Sequence, residues 1–206
     1  LIFYFLIMIT EATQKTIQSL FTTDDKGQSY QYIIPPYQRE YSWKEEQWES
    51  LFNDIYENDS GYFLGTIICI SSETNKLDVI DGQQRLTTLS IFLLALYKEL
   101  KKYTRNYSVD AHEEEISKII TFKKYFKSNK EIRLCLSRQN YNNKDYKYLV
   151  DNVLENNTDS PKYYGNRRIS KAFNYFLDKI SLELSHINDD EGKARVLFEL
   201  LDKVNS

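Results

Sequence analysis

Apolar side chains dominate residues 86–100, with no glycine or proline among them, and a run of that length predicts a helix buried on most sides. Residues 77–80 form a short apolar run of strand character, and Asp81-Gly82 between the two is a turn dipeptide. A strand therefore feeds a buried helix through a polar hinge. Upstream, Trp48, Leu51, Phe52, Ile55 and Tyr56 recur at helical spacing, with Glu46, Glu49, Asn53 and Glu57 off the stripe. The S-x-x-E box of Ser42 and Glu45 predicts that this helix starts near Trp43. Thr10 reads as the cap of an earlier helix reaching about Leu20, followed by a loop over 22–29 and a strand over 30–34 that Pro35-Pro36 stops. Residues 62–70 are apolar and β-branched, which predicts a central strand covered on both faces, interrupted at Gly65-Thr66. The short 72–76 connection pairs that strand with 77–80 as a hairpin. Further on, Ile132, Leu134 and Leu136 alternate as a short strand does, and 141–153, 167–184 and 191–204 read as helices separated by loops at 155–165 and 188–190.

These elements make an α+β fold: a small mixed sheet with packed helices over 1–103, then a mainly helical extension over 104–206. With 206 residues and 41% hydrophobic content, the chain is large enough for a proper core. No internal repeat or low-complexity tract interrupts it. The last helix reaches Ser206 without a visible cap, so the chain reads as cut from a longer protein at that end. The apolar opening, residues 1–9, is about half the length of a membrane span. It also lacks the early positive charge of a signal peptide, the first basic residue being Lys15, and we expect the native start at Met8 and no membrane partner. Cys69, Cys135, His112 and His186 show no metal-ligand spacing, and the two cysteines read as buried free thiols of a cytoplasmic protein.

A net charge of −3 means that any contact with nucleic acid must come from a local patch. The segment 118–138 is the strongest such patch, holding seven bases (Lys118, Lys123, Lys124, Lys127, Lys130, Arg133 and Arg138) against one acid, Glu131. Solvated lysines on a helix face fit the same residues. The hinge DGQQR carries the other candidate chemistry. Gly82 lets the backbone approach an anion, the following first helical turn presents unpaired N–H groups, and Arg85 offers a planar fork for two phosphate oxygens. Gln83 and Gln84 add neutral amide donors. A carboxylate at Asp81 beside such a cradle needs a Mg²⁺ ion, an attacking water or the Arg85 guanidinium as partner. The same five residues also fit a plain strand-to-helix turn in which Arg85 pairs with Asp81 and nothing binds. The aromatic and polar phrase 37–43, YQREYSW, stands where the chain leaves a sheet, and fits either a base-stacking edge with Gln38 and Arg39 or a turn whose aromatics cover the core.

Together, PPYQREYSW, YFLGTI and VIDGQQRLTTL resemble the N-terminal domain of GmrSD-type, modification-dependent restriction endonucleases, which is similar in fold to ParB and sulfiredoxin. The GxxR phosphate signature of that fold would be Gly82 to Arg85. What the resemblance implies is a phage-defence domain that binds and hydrolyses a nucleoside triphosphate with Mg²⁺, while a separate C-terminal HNH-type domain cuts DNA, modified or unmodified. Carried onto this chain, it implies Asp81, Gln84 and Arg85 as catalytic residues and Asp81 as the metal ligand. Gln38, Arg39, Gly65, Thr66, Gly82, Gln83, Arg85 and Thr87 would bind the nucleotide. Tyr41 and Trp43 stay open between stacking and packing. The chain has no Walker A motif and no HNH-like context around its two histidines, so nuclease chemistry is not expected here. Two other readings remain: a ParB-like DNA-binding module with nucleotide as a switch, and a scaffold with a degenerate cradle.

Overall fold

The structure, a computed structural model, describes residues 12–23, 29–128, 131–138 and 141–206. Thr10, the apolar opening 1–9 and most of the loop 22–29 lie outside the described residues. The central element is α3 (Gln83–Tyr103), a helix of 21 residues in which every side chain from Leu86 to Tyr97 is buried. An apolar run without a polar face folds this way only if other elements wrap it completely. The wrapping comes from α2 (Glu45–Glu57), α4 (Glu113–Lys123), α5 (Asn142–Glu155), α6 (Arg168–Glu183) and α7 (Asp190–Asn205). Phe92 shows how: its ring meets Phe52 of α2 edge-on at 6.2 Å and Phe176 of α6 edge-on at 5.4 Å. Two polar residues of α3 are also satisfied inside the core. Ser90 bonds the Tyr146 hydroxyl at 2.5 Å, and Thr88 bonds that of Tyr41 at 2.8 Å. Residues on both sides of Tyr103 belong to one hydrophobic cluster.

A four-stranded sheet stands beside these helices, in the order β2 (Ile68–Glu73), β3 (Lys76–Asp81), β1 (Gln31–Ile33), β6 (Leu134–Cys135). β1 is parallel to both β3 and β6, with Tyr32 opposite Leu77 on one side and Leu134 on the other. β2 is antiparallel to β3. Three strands therefore send their carboxyl ends to one edge of the sheet, and β2 enters from that same edge. Two further strands, β4 (Lys127–Ser128) and β5 (Glu131–Ile132), form a separate ribbon. A short helix, α1 (Ile17–Phe21), is capped by Thr16, whose hydroxyl accepts from Ser19 N.

The α+β class and the helical second half are as the sequence predicts, with helices at α2, α3, α5, α6 and α7 close to the expected bounds. Five local expectations are corrected. Residues 62–67 are irregular, and the strand begins at Ile68, at the sheet's outer edge, where Ile70 is exposed. Gly65 at φ +112 breaks the extended run, so apolar composition alone misplaced a central strand. The hairpin turn is tighter than residues 72–76, with Asn75 in the left-handed region at φ 63. Lys44, rather than the Ser42–Glu45 box, precedes α2, its N–H donating to Gln47 Oε1 at 2.9 Å. Finally, the alternating run around 132–136 is divided between β5 and β6 at Arg133, and α1 starts at Ile17, leaving 12–16 non-helical. Among the described residues no helix is long and apolar enough to cross a membrane. Cys69 and Cys135 are free and half-buried, and burial, helped by Asp78, pushes the Cys69 thiol up to about 11.

Truncating Phe92 removes the ring that joins α2, α3 and α6, and Phe92→Ala should cost about 3–5 kcal/mol in chemical denaturation. Ile120→Ala, at a position 56% exposed, should stay within about 0.5 kcal/mol of the parent.

Candidate functional site at the carboxyl edge of the sheet

Loops that leave parallel strands at their carboxyl ends converge on one crevice, the usual position for a ligand in an open α/β sheet. Here β1 runs into residues 35–43, β3 into the Asp81-Gly82 turn and α3, and β6 into Leu136 and Ser137 ahead of α5. Gly82 makes the tightest of these turns. Its φ of +82 is left-handed, and a Cβ there would stand 2.7 Å from Thr66 O. The neighbour that requires glycine is thus the chain's own backbone at 66–67. At Gly65, a Cβ would stand 2.6 Å from Arg85 Cζ, so the guanidinium lies directly on the Gly65 backbone and Nη1 donates to Thr66 O at 3.4 Å. Among the described residues no carboxylate is within ion-pair distance of Arg85, and Asp81, exposed at the end of β3, pairs with no cation. The plain turn closed by an Asp81–Arg85 pair is not what forms.

The two glutamines have different surroundings. Gln83 Nε2 donates to Gln38 Oε1 at 3.0 Å, and Gln38 Nε2 donates to Ile80 O at 2.7 Å, which ties the 35–43 loop to the end of β3. Gln84 is buried and has both ends of its amide engaged. Its Oε1 accepts from Ser42 N at 2.8 Å and Trp43 N at 3.3 Å, while Nε2 donates to Glu40 O at 3.0 Å. A second layer continues inward: Trp48 Nε1 donates to the Tyr41 hydroxyl at 2.8 Å, and Tyr41 reaches Thr88, whose hydroxyl donates to Gln84 O. Burial pushes the Tyr41 phenol far above its usual range despite these bonds. Tyr41 is therefore a packed, hydrogen-bonded core residue, and Trp43 is half-buried against the same core.

Gln83 and Thr87, four residues apart, share one face of α3, whereas Arg85 points to the other. On the first face lies a narrow cleft of about 10 Å³, room for one water, lined by Arg39, Gln83, Gln84 and Thr87 with Ser137 and Asn142. Thr87 is 3% exposed, and its hydroxyl has no hydrogen-bond partner among the described residues. The inferred residues accordingly fall into two groups about one helix mouth: Arg39, Gln83, Gln84 and Thr87 in the cleft, Gly65, Thr66, Gly82 and Arg85 across from it, with Asp81 at the strand end. Ser137 and Asn142 carry no motif, and more than fifty positions separate them from Gly82, so no signal in the sequence pointed to them.

The basic segment does not act as one patch. Arg133 is buried, with Nε donating to Lys124 O at 2.6 Å and Nη1 bonded to Ser29. Lys118 pairs with Asp202 at 2.9 Å and Lys127 with Asp151 at 2.6 Å. Lys123, Lys124 and Arg138 are exposed, and Lys130 is outside the described residues. Among the described residues no group of three or more His, Cys, Asp or Glu side chains is placed to hold a metal ion.

A mixed sheet whose parallel strands open onto a glycine-entered, buried helix, with an arginine at its mouth that has no carboxylate partner among the described residues, defines an α+β domain with a polar crevice at the sheet's carboxyl edge. The chain belongs to the GmrSD restriction endonuclease N-terminal domain family, whose profile matches residues 17–206. Membership gives it a role in a restriction system, in which the full-length enzymes act on DNA through a separate nuclease domain. No curated protein matches the chain.

Gln84→Ala should free the 40–43 loop and cost about 1–3 kcal/mol, the scale for leaving buried partners unmade. Both tryptophans, Trp43 and Trp48, touch this network, so their fluorescence should shift along with the denaturation midpoint. Unchanged emission would mean that the loop is held by other contacts.

Proposed function

We propose that the chain is the nucleoside triphosphate-binding and hydrolysing regulatory domain of a modification-dependent restriction endonuclease whose HNH-type nuclease lies in a separate C-terminal domain. What carries this reading is the Arg85 guanidinium, set on the Gly65 backbone at the N-terminus of a buried helix with no carboxylate among the described residues to neutralise it. A cation and a helix N-terminus placed together form an anion site. The Thr87 hydroxyl and the Arg39 side chain line the cleft beside that site. Phosphates would lie across the mouth of α3 between the two groups.

Asp81 fits the metal as well as the water. Mg²⁺ in triphosphate sites is held by one or two carboxylates with phosphate and water oxygens completing the shell, so a single exposed aspartate at the strand end is a sufficient protein ligand. Bound there, the ion would neutralise charge on the triphosphate. Gln84, with its amide engaged, positions the 40–43 loop instead of touching phosphate. Gln38 likewise holds Gln83 in place.

Arg85→Ala should weaken nucleotide binding by about 1.5–3 kcal/mol, the worth of a hydrogen bond to a charged group, with the melting profile unchanged. Lys at this position should rescue only part of the loss, because it lacks the fork. Equal affinity of mutant and parent in calorimetry would sink the anion site. For Asp81→Asn, hydrolysis should fall by about a hundredfold or more while affinity changes little, as for a lost general base or metal ligand. Full turnover by this variant, beside an active parent, would remove Asp81 from the chemistry.

A further inference from the structure

A second concavity opens beside Asn142. Tyr141, one residue earlier, is the N-cap of α5 and stands 64% exposed. It lines a wider groove of about 500 Å³ with Lys144, Tyr148, Lys162 and Arg167. Both concavities take a lining residue from the start of α5. Small-molecule pockets span roughly 300–1,000 Å³, so the groove has room for a ring system, whereas the cleft, at about 10 Å³, admits only a water-sized group.

Tyr141 is also held in a way that an ordinary surface tyrosine does not need. The Arg167 guanidinium lies 4.1 Å above its ring. That guanidinium is fixed in turn, donating to Asp145 Oδ1 at 2.7 Å and to Lys162 O at 2.7 Å. Asp145 is completely buried, so the support is anchored in the core of α5. The result is an aromatic face, backed by a cation and open to solvent, in a groove next to the cleft at the mouth of α3.

We infer that Tyr141 is the platform on which the nucleobase of the bound nucleotide stacks, with its phosphates leading over the rim of the Arg39–Thr87 cleft towards Arg85 and Asp81. The inference rests on the nucleotide reading above and extends it to the base. It also places part of the ligand site in the second half of the chain. Stacking on a tyrosine accepts any base, since every base has a π-face, so base preference should be weak.

Calorimetry with ATP and with inorganic tripolyphosphate, both with Mg²⁺, tests it. Tyr141→Ala should lower ATP affinity roughly tenfold, within the range for one lost base stack, and leave tripolyphosphate affinity unchanged. Tyr141→Phe should bind ATP like the parent. Undiminished ATP binding by Tyr141→Ala overturns the platform, as does an equal loss for both probes, which would report damage to the cleft. A loss seen only with a single-stranded oligonucleotide would assign the ring to DNA and overturns it too. Should the parent bind neither ATP nor tripolyphosphate, the nucleotide reading itself fails. Should it bind both equally well, the phosphate site stands and the platform falls.

Discussion

Burial of every α3 side chain from Leu86 to Tyr97 is the constraint on which the rest of this structure depends. A stretch of helix without a solvent face must be enclosed on all sides, and five other helices supply that enclosure, with Phe92 wedged between Phe52 and Phe176. Such a helix can show polarity only at its ends and at a few satisfied interior groups such as Thr88 and Ser90. Its N-terminal N–H groups, which have no carbonyl of their own helix to meet, are thereby concentrated at one place on the protein. The sheet delivers its loops to that same place.

Parallel pairing explains why. Since β1, β3 and β6 run in one direction, the segments that follow them emerge together although they are far apart in the chain. The 35–43 loop is fastened by Gln84 and Gln38, the 65–66 backbone is wedged against Gly82 and Arg85, and the segment after β6 brings in Ser137 and Asn142. Each glycine at the mouth is required by a close approach within the protein. Gly82 admits the Thr66 carbonyl and Gly65 admits the Arg85 guanidinium, so the site is preorganised by its own backbone.

Charge is distributed to the same end. Bases that are adjacent in sequence between Lys118 and Arg138 separate in space into ion pairs, a buried structural arginine and solvated lysines. Arg39 and Arg85 instead stand at the crevice without a carboxylate partner among the described residues. Against a net charge of −3, uncompensated cations at a helix N-terminus are a local feature that overall composition conceals.

By itself the sequence determined the elements that depend on local pattern: the buried helix over 86–100, the strand and glycine turn ahead of it, the stripe of Trp48, Leu51, Phe52 and Ile55, and the three late helices. Periodicity and turn propensity act over a few residues, so they can be read along the chain. It misread residues 62–67 as strand because apolar composition does not reveal that Gly65 takes a positive φ to receive Arg85. Nor could it show that Gln84 faces the 40–43 backbone while Arg85 faces away from Thr87, since that depends on which side of α3 meets the loop. Only the tertiary structure brought Ser137 and Asn142 to the helix mouth. Their position follows from β6 pairing in parallel with β1, a contact across a hundred residues that no local pattern encodes.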